Sequence, residues 1–194
     1  GPGVWEAALQ SQIGIEAADR ANLFKTFAKV YFQKRHMMAT FMAKWSMDYP
    51  GQSGHFHFSL CDENDINIFA DGAASHGISE AQLFAVGGLQ RYLPELLPML
   101  APTINSYTRL VKGAWAPTAA TWGVENRTAA IRVIPGGVSS QRIECRVGGA
   151  DANPYLAIAA TLAAVWLGVQ EKRRPTRPRK VSGEDLETLP RNLD

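Results

Sequence analysis

Two cysteines, Cys61 and Cys145, are too few and too far apart to form a disulfide framework or a zinc-binding spacing. A reducing, cytoplasmic location is the expectation that follows. No apolar run reaches the roughly 18 residues that would span a membrane, so no membrane partner is expected. The opening stretch GPGVWEAALQ lacks the basic-then-apolar order of an export signal. It also lacks an initiator Met, so either the chain was cut from something longer or Gly1-Pro2 is a remnant. Charge of one sign is scarce: the formal net charge of +2 is too small to imply a nucleic-acid partner. Of the 194 residues, 46% are hydrophobic and 20% charged, an ordinary globular composition for one large domain or one and a half small ones.

The apolar spacing predicts a helix over residues 16–35, with Leu23, Phe24, Phe27, Val30 and Tyr31 on one stripe. HMMATFMAKW reads as a buried strand, PGQSG as a turn, and CDENDINIFADG as a hairpin with a short strand INIF. A second helix is expected over 78–92, capped by Ser79 and ended by Pro94 and Pro98. Residues 102–113 are polar and mixed, and AAIRVIPG and QRIECRVGG are strand-like. The clearest helix lies in DANPYLAIAATLAAVWLGVQEK, with Asp151 as cap, Pro154 in the first turn and a stripe of Tyr155, Ala159, Leu162, Ala163 and Trp166. Strands and helices mix without a βαβ rhythm, which favours the α+β class.

Histidine is rare too, with four in the chain, yet two of them sit in GHFHFSL. Strand periodicity puts Phe56, Phe58 and Leu60 on one face and His55, His57 and Ser59 on the other. QRIECRV repeats the pattern: Ile143, Cys145 and Val147 point one way, Arg142, Glu144 and Arg146 the other. Arg109, Arg127 and Arg132 add to this set. Alternating charges can be a solvated strand face, and paired imidazoles can be polar surface. The alternative is a polyanion site, because guanidinium forks match phosphate and carboxylate oxygens two at a time. A glutamate among arginines would repel such anions unless a cation lay between, which points to Mg²⁺ or Mn²⁺ rather than Zn²⁺. His55 could ligate that metal while His57 donates to a phosphate.

PTINSYTRL, APTAATWGVENRTAAIRV, RIECRVGGADANPYLAIAATLAA and the G-x-H-x-H-x-S-L pattern occur in one order over about residues 3–170. Together they resemble the catalytic domain of glutamine synthetases and related γ-glutamyl-amide ligases. The resemblance implies an incomplete α+β catalytic domain over 1–171 and a basic, proline-rich tail over 172–194. It implies a curved, mostly antiparallel sheet with the charged set on its concave face and the helices on its convex face. It implies a ligase that uses ATP and a divalent ion to join ammonia or a small amine to glutamate through a γ-glutamyl phosphate. By the same resemblance Glu6, His55 and Glu144 would bind metal, and His57 would lie near the ATP phosphates. Gly51, Arg109 and Arg146 would hold glutamate, and Arg127 and Arg132 would contact ATP and the transferring group. A homo-oligomeric ring is the expected assembly of the whole protein.

Departures from the family pattern matter. KGAWAP puts Trp115 where ammonia-using members carry a carboxylate, and an indole cannot deprotonate ammonium. A bulkier, less polar amine, or lost ammonia use, is inferred. GQSGH stands where the family has GSGMH, and Val4 replaces a usual Gln. The family's N-terminal domain and Glu-x-Glu strand would precede residue 1, so the chain alone is expected to be inactive or weakly active. A non-catalytic structural or assembly module is the other reading, and a guanidino-kinase-like enzyme a weaker third. An exposed sheet edge is expected, and EKRRPTRPRK reads as a flexible linker.

Overall fold

The computed structural model describes residues 3–180 and 189–193. It contains helix α1 (Glu16–Gln33), strand β1 (Phe56–Phe58), helices α2 (Glu80–Leu100) and α3 (Ile104–Arg109), strands β2 (Trp122–Val124), β3 (Ile131–Ile134) and β4 (Arg142–Cys145), and helix α4 (Pro154–Gln170). The class is α+β. The four strands form one sheet in the order β1-β4-β3-β2. β4 pairs antiparallel with both β1 and β3, and β3 pairs parallel with β2, so the sheet is mixed.

Helix α2 starts where its cap predicts: the Ser79 hydroxyl accepts the Gln82 amide at 3.1 Å. It does not stop at Pro94 or Pro98 but runs on to Leu100. The leucines explain this, because Leu89, Leu93, Leu97 and Leu100 stay on one buried face through both prolines. Burying Leu93, Leu97 and Leu100, at roughly 2 kcal/mol each, is of the size needed to offset two interior prolines at about 3 kcal/mol each. The core joins these leucines to Phe58 and Phe69, to Ile131 and Val133 of β3, to Ile143 and Cys145 of β4, and to Ala164 and Val165 of α4.

Several other expectations are corrected. The stretch 37–45 is not a buried strand; it is irregular, and Met37, Met38 and Met42 are exposed. INIF contributes only an isolated bridge, Cys61 to Asn67. The polar stretch after Pro102 contains α3, started by a reciprocal cap between Thr103 and Ser106. β2 had no sequence signal, being three residues long and anchored by its partner strand. The cap of α4 is Asn153, whose side chain accepts the Tyr155 and Leu156 amides.

The helices bury different faces from those their large residues suggest. In α4 the buried positions are Thr161, Ala164, Val165 and Gly168, while Leu162 and Trp166 are exposed. In α1 the one buried residue is Ala18, and Leu23, Phe27, Val30 and Tyr31 are exposed. α1 rests on α4 rather than on the sheet. It is fastened there by Tyr155 donating to Asp19 at 2.6 Å and Lys25 donating to the Ala152 carbonyl at 2.8 Å. Burial lowers the Lys25 pKa, and nearby Asp151 partly offsets this.

The basic tail is irregular, as expected, but it is fastened to the domain. The Arg179 amide donates to the Trp122 carbonyl at 2.9 Å, so the chain lines the open side of β2. The Trp122 indole donates to the Thr176 carbonyl at 2.7 Å, and Gln90 exchanges hydrogen bonds with Thr176. Residues 181–188 of that tail lie outside the described residues. At the opposite edge no described strand pairs with the outer side of β1. Replacing Gln90 with Ala is expected to loosen the strap. Limited trypsin digestion read by mass spectrometry would then show faster cleavage after Lys172, Arg173 and Arg179, whose following residues are not proline. Unchanged cleavage would show that Gln90 does not hold the tail.

Candidate active site

Register puts the charged residues together. Glu144 on β4 lies opposite His57 on β1 and opposite Arg132 on β3. His55 and Arg146 each stand two residues along a strand direction from a member of this row, so they share its face. The buried Glu144 carboxylate is the hub. One oxygen, Oε1, lies 3.1 Å from His55 Nδ1, 3.5 Å from His57 Nε2 and 2.6 Å from Arg146 Nη1. The other, Oε2, accepts from Arg132 Nη1 at 3.1 Å.

Burial works to raise the pKa of Glu144, but the His55 hydrogen bond and the charges of Arg146, His55 and His57 outweigh it and bring it to about 2. The carboxylate is therefore ionised at neutral pH. Burial lowers the pKa of His57, against the pull of Glu144 and with help from Arg142 and His55. Arg142 Nε donates to His57 Nδ1 at 3.4 Å, which fits a neutral ring with its proton on Nε2, toward Glu144.

Behind this row lies a second basic group. Arg109, at the end of α3, is 4% exposed, and burial pushes its pKa down to about 10. Its Nη2 donates to the carbonyls of Val147 and Gly148, while Nε is buried without a partner. Arg146 likewise has a buried, unpartnered Nε. Two orphaned guanidinium N–H groups suit an anion such as a carboxylate. Gly51 lies against Arg109, and a Cβ there would come within 2.5 Å of both Arg109 Cγ and the Ala43 carbonyl. Only glycine lets that loop approach so closely.

Two expected members are not drawn in. Arg127 is exposed at the turn before β3. Glu6 is exposed in the N-terminal segment, and no group of three His, Cys, Asp or Glu residues able to hold a metal exists among the described residues. The expected trio of Glu6, His55 and Glu144 is thus reduced to the His55–Glu144 pair. That pair fits a hard divalent ion. The pair is joined here by a hydrogen bond of 3.1 Å, and its imidazole nitrogen and carboxylate oxygen are donor atoms that such an ion could take in place of the shared proton.

The structure also contains residues that sequence reasoning missed. Glu125 ion-pairs with Arg132 from the side opposite Glu144. Asp151, read as a helix cap, instead accepts from Thr103 Oγ1 at 3.0 Å and Ser106 Oγ at 2.5 Å, tying the start of α3 to the turn after β4. Only the acid next to the Asn-Arg-Thr run hinted at the first, and nothing local marked the second. Trp115 is 70% exposed with a left-handed φ of 56°. It borders a cavity of about 360 Å³ lined also by Lys112, Thr118, Asn126 and Thr128, with no acidic side chain among its described walls.

The chain is thus an α+β domain whose sheet face carries one buried carboxylate among imidazoles and guanidiniums. The chain belongs to the glutamine synthetase family: the family model described as "Glutamine synthetase, catalytic domain" matches residues 1–193. Type-1 glutamine synthetase 2 of Dictyostelium discoideum is 49% identical over 89% of this chain and 33% of its own length. Glutamate–isopropylamine ligase of a Pseudomonas species is 38% identical over 92% of this chain and 39% of its own length. Gamma-glutamylputrescine synthetase of Escherichia coli (strain K12) is 34% identical over 97% of this chain and 40% of its own length. The chain spans between a third and two fifths of these relatives. Among its described residues no helix is long and apolar enough to cross a membrane.

Proposed function

We propose that the protein containing this chain is an ATP-dependent ligase that joins an amine to the γ-carboxyl of glutamate through a γ-glutamyl phosphate. The observation that carries this reading is Glu144, buried and ionised, within 3.1 Å of His55, Arg132 and Arg146. His55 and Glu144 would hold Mg²⁺ or Mn²⁺, which when bound neutralises charge between carboxylate and phosphate. His57, Arg127 and Arg132 would meet the ATP phosphates, with Arg127 and Arg132 stabilising the transferring group. Gly51, Arg109 and Arg146 would receive glutamate, the orphaned Nε atoms of the two arginines accounting for part of its carboxylate binding. Glu6 would need to approach the pair to serve as a further ligand.

Trp115 favours an amine over ammonia as acceptor, because no carboxylate stands among the described walls of its cavity to deprotonate ammonium. Relatives named for isopropylamine and putrescine accord with that choice. A ring of subunits, a cytoplasmic location and a division into a catalytic part, 1–171, and a basic, proline-rich tail, 172–194, complete the proposal. The second reading, a non-catalytic module, draws on the exposed position of Glu6. Isothermal titration decides between them. Mg-ATP should release heat on binding the chain, and His55→Ala should lose about tenfold or more in affinity while Mg-free ATP binding changes little. No heat with the wild-type chain would favour the non-catalytic module.

A further inference from the structure

Arg132 is shared between two carboxylates of very different character. Its Nη1 donates to Glu144, which is 3% exposed, while Nε donates at 3.1 Å and Nη2 at short range to Oε2 of Glu125, which is 50% exposed. Glu144 already has His55, His57 and Arg146 around it. Glu125, itself an anion, does nothing to neutralise the buried carboxylate and instead shares its Arg132 counter-charge. What it does is cover the Nε/Nη2 edge of Arg132, one of the paired-donor edges that an oxyanion engages.

The placement of Glu125 is built by the fold. Its φ of 51° is left-handed, which costs a non-glycine residue about 1 kcal/mol. Both sides of it are pinned. The Glu125 amide donates to the Val133 carbonyl at 2.9 Å. The next residue, Asn126, is 2% exposed, accepts the Thr128 amide and hydroxyl at 2.9 and 2.7 Å, and donates to the Arg179 carbonyl at 3.1 Å. A strained conformation held from both sides serves to aim the side chain.

We propose that Glu125 is a built-in stand-in for an anion: it occupies the fork of Arg132 and is displaced when a polyphosphate arrives. This rests on the reading of the sheet face as a phosphate site. Its consequence is competition, so the residue lowers polyphosphate affinity and keeps Arg132 extended over the face between binding events. Because one Glu125 carboxylate is half exposed, its displacement returns it to water at little cost.

The test uses the whole chain and magnesium-free inorganic tripolyphosphate, titrated calorimetrically at low salt. Glu125→Gln should bind about threefold to tenfold tighter than wild type, the effect of one like charge removed about 5 Å away. The gain should shrink as salt rises to physiological strength. Glu125→Gly should show the same gain and, because glycine accepts the left-handed backbone, should not melt below wild type. In an Arg132→Lys background, which keeps the charge and loses the fork, Glu125→Gln should give no gain. Equal or weaker binding by Glu125→Gln, with wild-type binding measurable, overturns the stand-in role alone. A gain that survives Arg132→Lys also overturns it, since the anion would then bind elsewhere, as on the basic tail. No binding by wild type or by any variant overturns this proposal, and if magnesium tripolyphosphate also gives no heat the phosphate reading itself falls with it.

Discussion

Glu144→Ala is expected to cost the chain about 3–5 kcal/mol, the usual price of leaving a buried ion cluster without one partner. Four groups converge on this carboxylate: His55, His57, Arg132 and Arg146. Without it, buried Arg146 loses its carboxylate, His55 and His57 lose their shared acceptor, and Arg132 keeps only the exposed Glu125. A domain with total stability of about 5–15 kcal/mol would be largely spent by that loss, so urea midpoints should fall sharply or the variant should not fold. Glu144→Gln keeps the shape and one acceptor, so it should lose less stability, and under the proposed function it should remove any enhancement of ATP binding by magnesium. A Glu144→Ala chain as stable as wild type would mean that the cluster is not held together as its geometry shows.

The same carboxylate fixes how stability depends on acid. Its folded pKa of about 2 lies below the ordinary value of 4.5. A depressed carboxylate stabilises the fold above its unfolded pKa, and that stability is lost as pH falls through the window from about 4.5 to 2, about 3 kcal/mol in all. His57 acts in the same direction at higher pH. Its pKa is lowered from 6.5, chiefly by burial, so the unfolded chain takes up a proton first as pH falls below 6.5. Stability should therefore decline in two stages on acidification. Glu144→Gln should flatten the lower stage in urea titrations; a parallel decline in wild type and variant would assign the acid limb to other groups.

Most of this site was legible because strand alternation has a fixed period. His55 and His57, and Glu144 with Arg142 and Arg146, had to fall on common faces once their segments were strands. That the two segments are neighbours in one sheet was not written in the alternation, since register depends on the whole core. Glu125 escaped notice because its role depends on a left-handed turn beside a strand three residues long. The helix faces misled for a different reason. Counting bulky apolar residues selected Leu162 and Trp166 in α4 and Leu23 and Phe27 in α1, all of which are exposed. The buried faces use mostly small residues, Ala18 in α1 and Thr161, Ala164, Val165 and Gly168 in α4, which carry little hydrophobic signal but let backbones approach. Likewise Pro94 and Pro98 read as stops, whereas the leucine stripe across them decided the matter.

The close approach of α2 and α4 yields the other large effect. Glycine inside an exposed helix is normally improved by alanine, by roughly 0.5–1 kcal/mol. At Gly88 the sign should reverse. A Cβ there would stand 2.2 Å from the Ala164 carbonyl oxygen and 2.7 Å from Gly168 Cα. At Gly168 a Cβ would meet the Phe84 carbonyl at 2.3 Å and Gly88 Cα at 2.5 Å. These are backbone atoms of the facing helix, so no side chain can turn aside and the helices must move apart. Overpacking of this kind costs about 1–3 kcal/mol or more, which exceeds the propensity gain. Gly88→Ala and Gly168→Ala should each lower stability by about 2 kcal/mol, and the double variant by less than the sum, because the first substitution already opens the gap that the second needs. The separation would also loosen Ala164 and Val165 from the core they share with Cys145, the residue next to Glu144. A neutral or stabilising result for either single variant in urea titration would show that the two helices do not meet backbone to backbone.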